Sequence, residues 1–259
     1  MPNLDTRTTK TPAVDDYTYL LSNDGTVEGK VELQDITVIP ETTRTINFTS
    51  SQTAAQIQAD IDAVGKYLPD GVSITFQFGN GTYTLNNNLD FDSFYGGGVM
   101  YIQGDTSQTA GLHTDHNVHL NFNNNTHGII CRRNSATFQV RHLKITCDDS
   151  KTCVLLISCA SVYTLYNYLL NNAKTSSGSK AISMTSASIG TAEQNYFSNN
   201  FYGINCTTAS IISSNNNDDT GTQPNYGLRV DTAGIIGKAN TQPTGSTANE
   251  SLGQGGNIF

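Results

Sequence analysis

Two short signatures recur together along residues 128–235, and they constrain the fold more than anything else in the chain. A small residue followed by an aliphatic appears as Gly128-Ile129, Cys153-Val154, Ala181-Ile182, Gly203-Ile204 and Gly227-Leu228, at spacings of 25, 28, 22 and 24 residues. Six to eight residues after each comes Ala136-Thr137-Phe138, Ala160-Ser161-Val162, Ala187-Ser188-Ile189, Ala209-Ser210-Ile211 and Ala233-Gly234-Ile235, with alanine spacings of 24, 27, 22 and 24. Because the two registers move together, the repeat belongs to a stacked architecture. A period near 24 suits one coil of a right-handed parallel β-helix, three short strands and three turns, each coil resting on the last at the ~4.8 Å strand spacing. Inward positions must then form columns. Three residues past the first signature lie Cys131, Leu156, Met184, Cys206 and Val230, all apolar. Leucine-rich repeats share the period but need a leucine ladder, and a β-sandwich has no reason to repeat at this length.

Composition agrees with an ordered, all-β chain. Charged residues make up 14% and hydrophobic residues 36%, yet twelve Tyr and ten Phe argue against disorder. Asn, Ser, Thr and Gly supply the polar share and suit turns. Asparagines fall late in successive coils (Asn171-Asn172, Asn199-Asn200, Asn215-Asn216-Asn217), where stacked side chains can bond from coil to coil. The five cysteines, Cys131, Cys147, Cys153, Cys159 and Cys206, include no CxxC pair and read as core filler rather than zinc ligands. No cofactor is expected.

Ahead of the repeat, residues 49–68 predict a helix capped by Thr49, Ser50 or Ser51. Its apolar positions Ala54, Ile57, Ile61, Val64 and Leu68 would cover the open end of the sheet stack. Before it, Tyr17 to Leu21, the turn Asn23-Asp24-Gly25 and Val27 to Ile36 predict a hairpin too small to hold a core alone. The expected division is an attachment segment at 1–45, a β-helix at 46–240 and a C-terminal tail at 241–259.

A net charge of −8 argues against nucleic acid, which needs clustered Lys and Arg. No apolar run approaches the ~20 residues of a membrane span. The N-terminus MPNLDTRTTK is too polar for a signal peptide, so a soluble chain made in the cytoplasm is expected.

Several of these motifs together resemble the phage and prophage tail fibres and tailspikes of the pectate-lyase-like β-helix superfamily. Pro12-Ala13-Val14-Asp15-Asp16-Tyr17 through Gly25-Thr26-Val27-Glu28-Gly29-Lys30-Val31-Glu32-Leu33 is similar to modules that join such proteins to the virion. Thr53 to Leu68, then Gly79-Asn80-Gly81-Thr82-Tyr83 and Tyr95-Gly96-Gly97-Gly98-Val99-Met100-Tyr101-Ile102-Gln103-Gly104, look like the opening of such a β-helix, and Gly255-Gly256-Asn257-Ile258-Phe259 suits its close. The resemblance implies a virion protein made in the host cytoplasm, a homotrimer, and attachment through the N-terminus to a baseplate or tail protein. It also implies contact with a host-surface polysaccharide. Tailspikes usually run over many more coils, so the resemblance carries architecture and virion role further than it carries an activity.

For chemistry, polysaccharide cleavage needs paired carboxylates for hydrolysis or a base with a neutralising cation for elimination. His113, Asp115 and His116, with His119 nearby, form the densest titratable cluster, followed by His127, Arg132, Arg133, Arg141 and His142. The catalytic candidates are His113, Asp115, His116 and Arg133; the competing reading is a solvated loop. Arg132, Arg141, Tyr202 and Tyr226 are candidates for carbohydrate binding, the two tyrosines as a ladder one coil apart. Asp148-Asp149 and Asp218-Asp219 read as corner residues, solvated or hydrogen-bonded to backbone rather than catalytic. Binding or scaffolding is the leading expectation; the alternative is a depolymerase, lyase or hydrolase, acting on capsule or lipopolysaccharide.

Overall fold

A computed structural model describes residues 17–21, 27–32, 41–107, 116–219 and 222–259. The chain divides into two compact units, Met1–Ile39 and Pro40–Phe259. In the first, Tyr17–Leu21 and Val27–Glu32 pair antiparallel, with a bulge between Leu20 and Leu21.

The second unit is a parallel β-helix of about seven turns. Each coil gives one strand to a seven-stranded, a nine-stranded and a six-stranded sheet, as Leu89–Asp92, Val99–Gln103 and Val118–Phe122 do. The predicted column is present: Phe91 pairs with Cys131, and Leu156, Met184, Cys206 and Val230 follow one per coil, all buried. Burying this column and its parallel partner Leu89–Ile129–Val154–Ile182–Ile204–Leu228 stabilises the stack, at roughly 1.5–3 kcal/mol for each large apolar side chain.

The second signature holds its register except at one step. Thr137 pairs with Ser161, which aligns Ala136 with Ala160, but Val162 pairs with Gly190, so Ala160 stands opposite Ser188 and not Ala187. The corner changes shape there. Ser158 alone is left-handed in one coil (φ 54), whereas Ser186 and Ala187 both are in the next (φ 58 and 59). That moves the buried corner residue one place, from Cys159 to Ser188. The later corners keep the second form, with Thr208-Ala209 and Thr232-Ala233 left-handed.

The helix is shorter than the sequence suggested, Ala54–Asp62, and its cap is Thr53 rather than Thr49, Ser50 or Ser51. Thr53 forms a capping box with Gln56, which satisfies two orphan amide donors. Val64 and Leu68 are buried as expected but lie past the helix, in a segment that meets Gly65 and then Pro69. Apolar spacing therefore identified the buried side chains and overestimated the helix. The coil also continues through 241–259, read above as a tail: Ala248–Leu252 pairs with Tyr226–Val230, and Asn257–Ile258 with Ile235–Ile236. At its other end it starts with Arg44–Phe48, paired with Ser73–Phe78 in the nine-stranded sheet, two residues before the expected boundary.

One corner is held by stacked asparagines. Asn167 donates from Nδ2 to Asn195 Oδ1 at 3.0 Å, and Asn195 donates to Asn217 Oδ1 at 3.0 Å. Each also donates to a main-chain carbonyl, of Val140, Thr164 and Ala192 respectively, and all three are fully buried. A coil-to-coil ladder was expected, but Asn167 and Asn195 were not among its expected members.

Candidate functional site

The first strand of the seven-stranded sheet, Leu89–Asp92, would expose an unpaired edge. The helix closes it with a side chain. Gln58 donates from Nε2 to the Asp90 carbonyl at 2.9 Å and accepts the Asp90 amide at Oε1, 2.8 Å. Its carboxamide thus takes the place of a neighbouring strand's peptide group.

Alternation turns Leu89 and Phe91 into the core, so Asp90 and Asp92 emerge on one face. Arg132, on the next coil, stands opposite Asp92 and bridges both carboxylates. Its Nε lies 3.0 Å from Asp90 Oδ1 and 3.6 Å from Asp92 Oδ2, and its Nη2 pairs with Asp90. Arg133, at the left-handed corner that follows (φ 54), donates from Nε to Asp92 Oδ1 at 2.9 Å. Between this cluster and the helix runs a groove of about 720 Å³, bordered by Gln58, Asp62, Lys66, Asp90, Asp92 and Arg132.

The two carboxyls are driven apart electrostatically. Burial raises the pKa of Asp90 and outweighs the lowering effect of Arg132. Asp92 is lowered, first by its hydrogen bond from Arg133. Among the described residues, no group of three or more His, Cys, Asp or Glu side chains is arranged to hold a metal ion.

The residues singled out from sequence scatter around the coil. His113 and Asp115 lie outside the described residues. His116 bonds through Nε2 to the Tyr166 carbonyl at 2.8 Å, at the corner between the nine- and six-stranded sheets. Arg133 stands at the corner between the seven- and nine-stranded sheets. His116 and Arg133 therefore do not share a site: each coil carries its three corners on different edges of the solenoid. Arg141 packs over the Tyr101 ring at 4.3 Å and donates to Gln103 Oε1 from Nε and Nη2. The ladder expected of Tyr202 and Tyr226 is formed, with ring centroids 5.5 Å apart, and Phe201 lies 4.8 and 5.6 Å from them.

Asp148 accepts the Asn125 amide at 2.8 Å and Asp149 the Ser150 amide at 3.0 Å in the corner role. Asp218–Asp219, by contrast, lies not at a turn but in a strand of the six-stranded sheet, from which Asp219 accepts the Thr244 amide at 3.0 Å. The arginines at 132 and 133 were picked out from sequence, but their partners Asp90 and Asp92 were not. The alternation Leu89-Asp90-Phe91-Asp92 was the available signal, since it sets two acids on one face of a strand.

Fold and site together define a parallel β-helix with a polar, charged groove under its capping helix. Comparison with protein-family models, with curated proteins and with solved structures finds no match. Among the described residues, no helix is long and apolar enough to cross a membrane.

Proposed function

We propose that this chain is a phage tail component of the tail-fibre or tailspike type, and that it engages a host-surface polysaccharide in the groove between helix and sheet. The observation that carries the reading is the convergence of Arg132, Asp90, Asp92 and Gln58 on one open groove. Sugar hydroxyls are recognised by just such closely set donors and acceptors on a rigid scaffold. On this reading the N-terminal unit attaches to a baseplate or tail protein and three copies assemble.

Calorimetric titration with fragments of capsular polysaccharide and lipopolysaccharide tests it. Wild-type protein binds at least one fragment, and Arg132→Ala weakens that binding about tenfold or more through the loss of charge-assisted bonds. Binding indifferent to Arg132→Ala and Asp90→Asn removes the groove from the account.

A second reading, glycoside hydrolysis, is favoured by the opposite shifts of Asp90 and Asp92. A carboxyl whose pKa is raised by burial beside one whose pKa is lowered by Arg133 is tuned in the directions that acid-catalysed cleavage of a sugar linkage requires. Asp90 would donate the proton and Asp92 would act as the carboxylate. A reducing-end assay on the bound polysaccharide distinguishes the two readings. Cleavage that Asp90→Asn abolishes supports hydrolysis, and a polysaccharide bound but left intact restricts the groove to recognition.

A further inference from the structure

Along a different edge of the solenoid, the residue just before the small-aliphatic signature forms a column of its own. Thr152 pairs with Lys180, Lys180 with Tyr202, and Tyr202 with Tyr226, one per coil. His127 adds a rung below, accepting the Thr152 amide at Nδ1, 3.0 Å.

The lower part of this column is positive. Lys180 is half-buried, and burial lowers the pKa of its ammonium. Among the described residues that ammonium has neither an ion pair nor a hydrogen-bond acceptor. Lys151 sits beside it, with the Lys180 amide bonded to the Lys151 carbonyl at 3.1 Å, and burial, with the two lysines adding to it, lowers the pKa of His127. The nearest carboxylates in sequence are spent on the corner. Asp149 accepts the Ser179 and Thr175 hydroxyls and the Ser150 and Ser176 amides, while Asp148 accepts Asn125 N at 2.8 Å and Asn172 Nδ2 at 2.7 Å. Among the described residues neither lysine has an ion-pair partner, although the charges of Asp148 and Asp149 lie close by in sequence. The upper part of the column is the aromatic group Phe201, Tyr202 and Tyr226.

We propose that Lys180, Tyr202 and Tyr226 form a binding site for an acidic saccharide, separate from the groove at Arg132. A sugar carboxylate pairs with Lys180, and the ring it belongs to, or the next along the chain, lies on the tyrosines above. The coil spacing of ~4.8 Å is close to the span of one sugar ring, so a glycan running parallel to the solenoid axis keeps step with the column. A partly desolvated ammonium without a counter-ion is costly, and a ligand carboxylate offsets that cost with a charge-assisted bond. The inference rests on the reading of the chain as a polysaccharide binder and adds the ligand's charge.

The test is calorimetric titration with uronate oligosaccharides (polygalacturonate, alginate and hyaluronan fragments) and with the same fragments after carboxyl reduction. Wild-type protein binds at least one acidic fragment about tenfold or more tightly than its reduced form. Lys180→Met, which keeps an apolar stem where the lysine chain is buried, retains the fold by circular dichroism and loses the preference. Tyr202→Ala weakens binding of that fragment, and Lys144→Met, on the six-stranded sheet, leaves its acid preference unchanged. Equal affinity for acidic and reduced forms, or a preference that survives Lys180→Met, overturns the proposal. Neutral-glycan binding that depends on Arg132 and not on Lys180 overturns this site alone and leaves the groove reading standing. Failure to bind any of the glycans, acidic or neutral, overturns both.

Discussion

Up to Cys147 the interior of the solenoid is packed with aromatic rings; beyond Thr152 aliphatic side chains replace most of them and one interior column turns polar. Phe48, Phe76, Phe78, Tyr83, Phe91, Phe94, Phe122 and Phe138 are all fully buried in the first coils, where edge-on contacts such as Phe76–Phe91 at 5.2 Å link one strand to the next. In the later coils Phe197 is the one phenylalanine among the largest buried side chains. One interior column shows the change directly: Phe76, Ile102, Val140, Thr164, Ala192, Ser214 and Lys238, one residue per coil. At the last coil the column comes to the surface: Lys238 is exposed and pairs with the exposed Glu250, which stands opposite Leu228. The strand register carries on unbroken, so a β-helix does not need a uniform filling. Early coils are held by burial of large apolar area, which is non-directional. Later coils rely on directional bonds, the asparagine ladder above all, and these fix which residue stacks on which.

The comparison makes its largest prediction in the aromatic half. Phe91→Ala removes a ring that touches both Phe76 and Phe138, and it should cost about 3–5 kcal/mol in urea unfolding. Phe91→Leu, which leaves a smaller cavity, should cost clearly less. Equal costs would show that shape-matched packing is unimportant there.

In the polar half, Asn195→Ala strands the buried Asn167 and Thr164 groups that it serves and should cost about 2–3 kcal/mol. Combined with Asn217→Ala it should be less than additive, because the two side chains are bonded to one another. Strict additivity in the double-mutant cycle would contradict a cooperative ladder.

Next in size is a pH effect. Burial, helped by Lys144, lowers the His119 pKa from 6.5 to about 4. The unfolded chain thus binds a proton more readily than the folded one. The stabilisation is complete above pH 6.5 and is lost as pH falls through the interval down to about 4. His119→Gln should flatten the pH dependence of stability in that interval, and an unchanged slope would assign it to other groups.

The smallest effect concerns the corners. Ala209 has φ 58, a conformation that costs an L-residue energy and glycine little. Ala209→Gly should therefore gain about 0.5 kcal/mol, after the entropy that glycine loses on folding. A loss of stability would mean that the methyl group has a packing role.

Much of this was legible in the sequence because a stacked fold repeats its inward chemistry. Cys131 and Cys206 could be assigned to one buried column from spacing alone, and both are there. Corners were harder to read. The alanine signature slips by one residue between Ala160 and Ala187 because the number of left-handed residues changes, which spacing does not show. The ladder positions Asn167 and Asn195 were hidden among many other asparagines, whereas the expected Asn171 and Asn200 are also buried and bond from coil to coil at 2.6 Å. Charged sites were harder still. Asp90 and Asp92 gain meaning only when the next coil brings Arg132 and Arg133 alongside, 40 or so residues further on. Dense local clusters such as His113 to His116 draw attention because they are close in sequence, but a β-helix assembles its surfaces from residues one coil apart.

The stacking itself is open to direct measurement by dipolar distances between spin labels on one outward column of the nine-stranded sheet. Thr75, Tyr101, Gln139, Tyr163, Thr191, Ser213 and Gly237 occupy successive coils of that column. With one label at Thr75 and the second at Thr191, Ser213 or Gly237, backbone separations of about 19, 24 and 29 Å are expected, one strand spacing more for each coil. Separations that fail to rise by this step, or that fall as the second label moves along the chain, would contradict a single stack of coils.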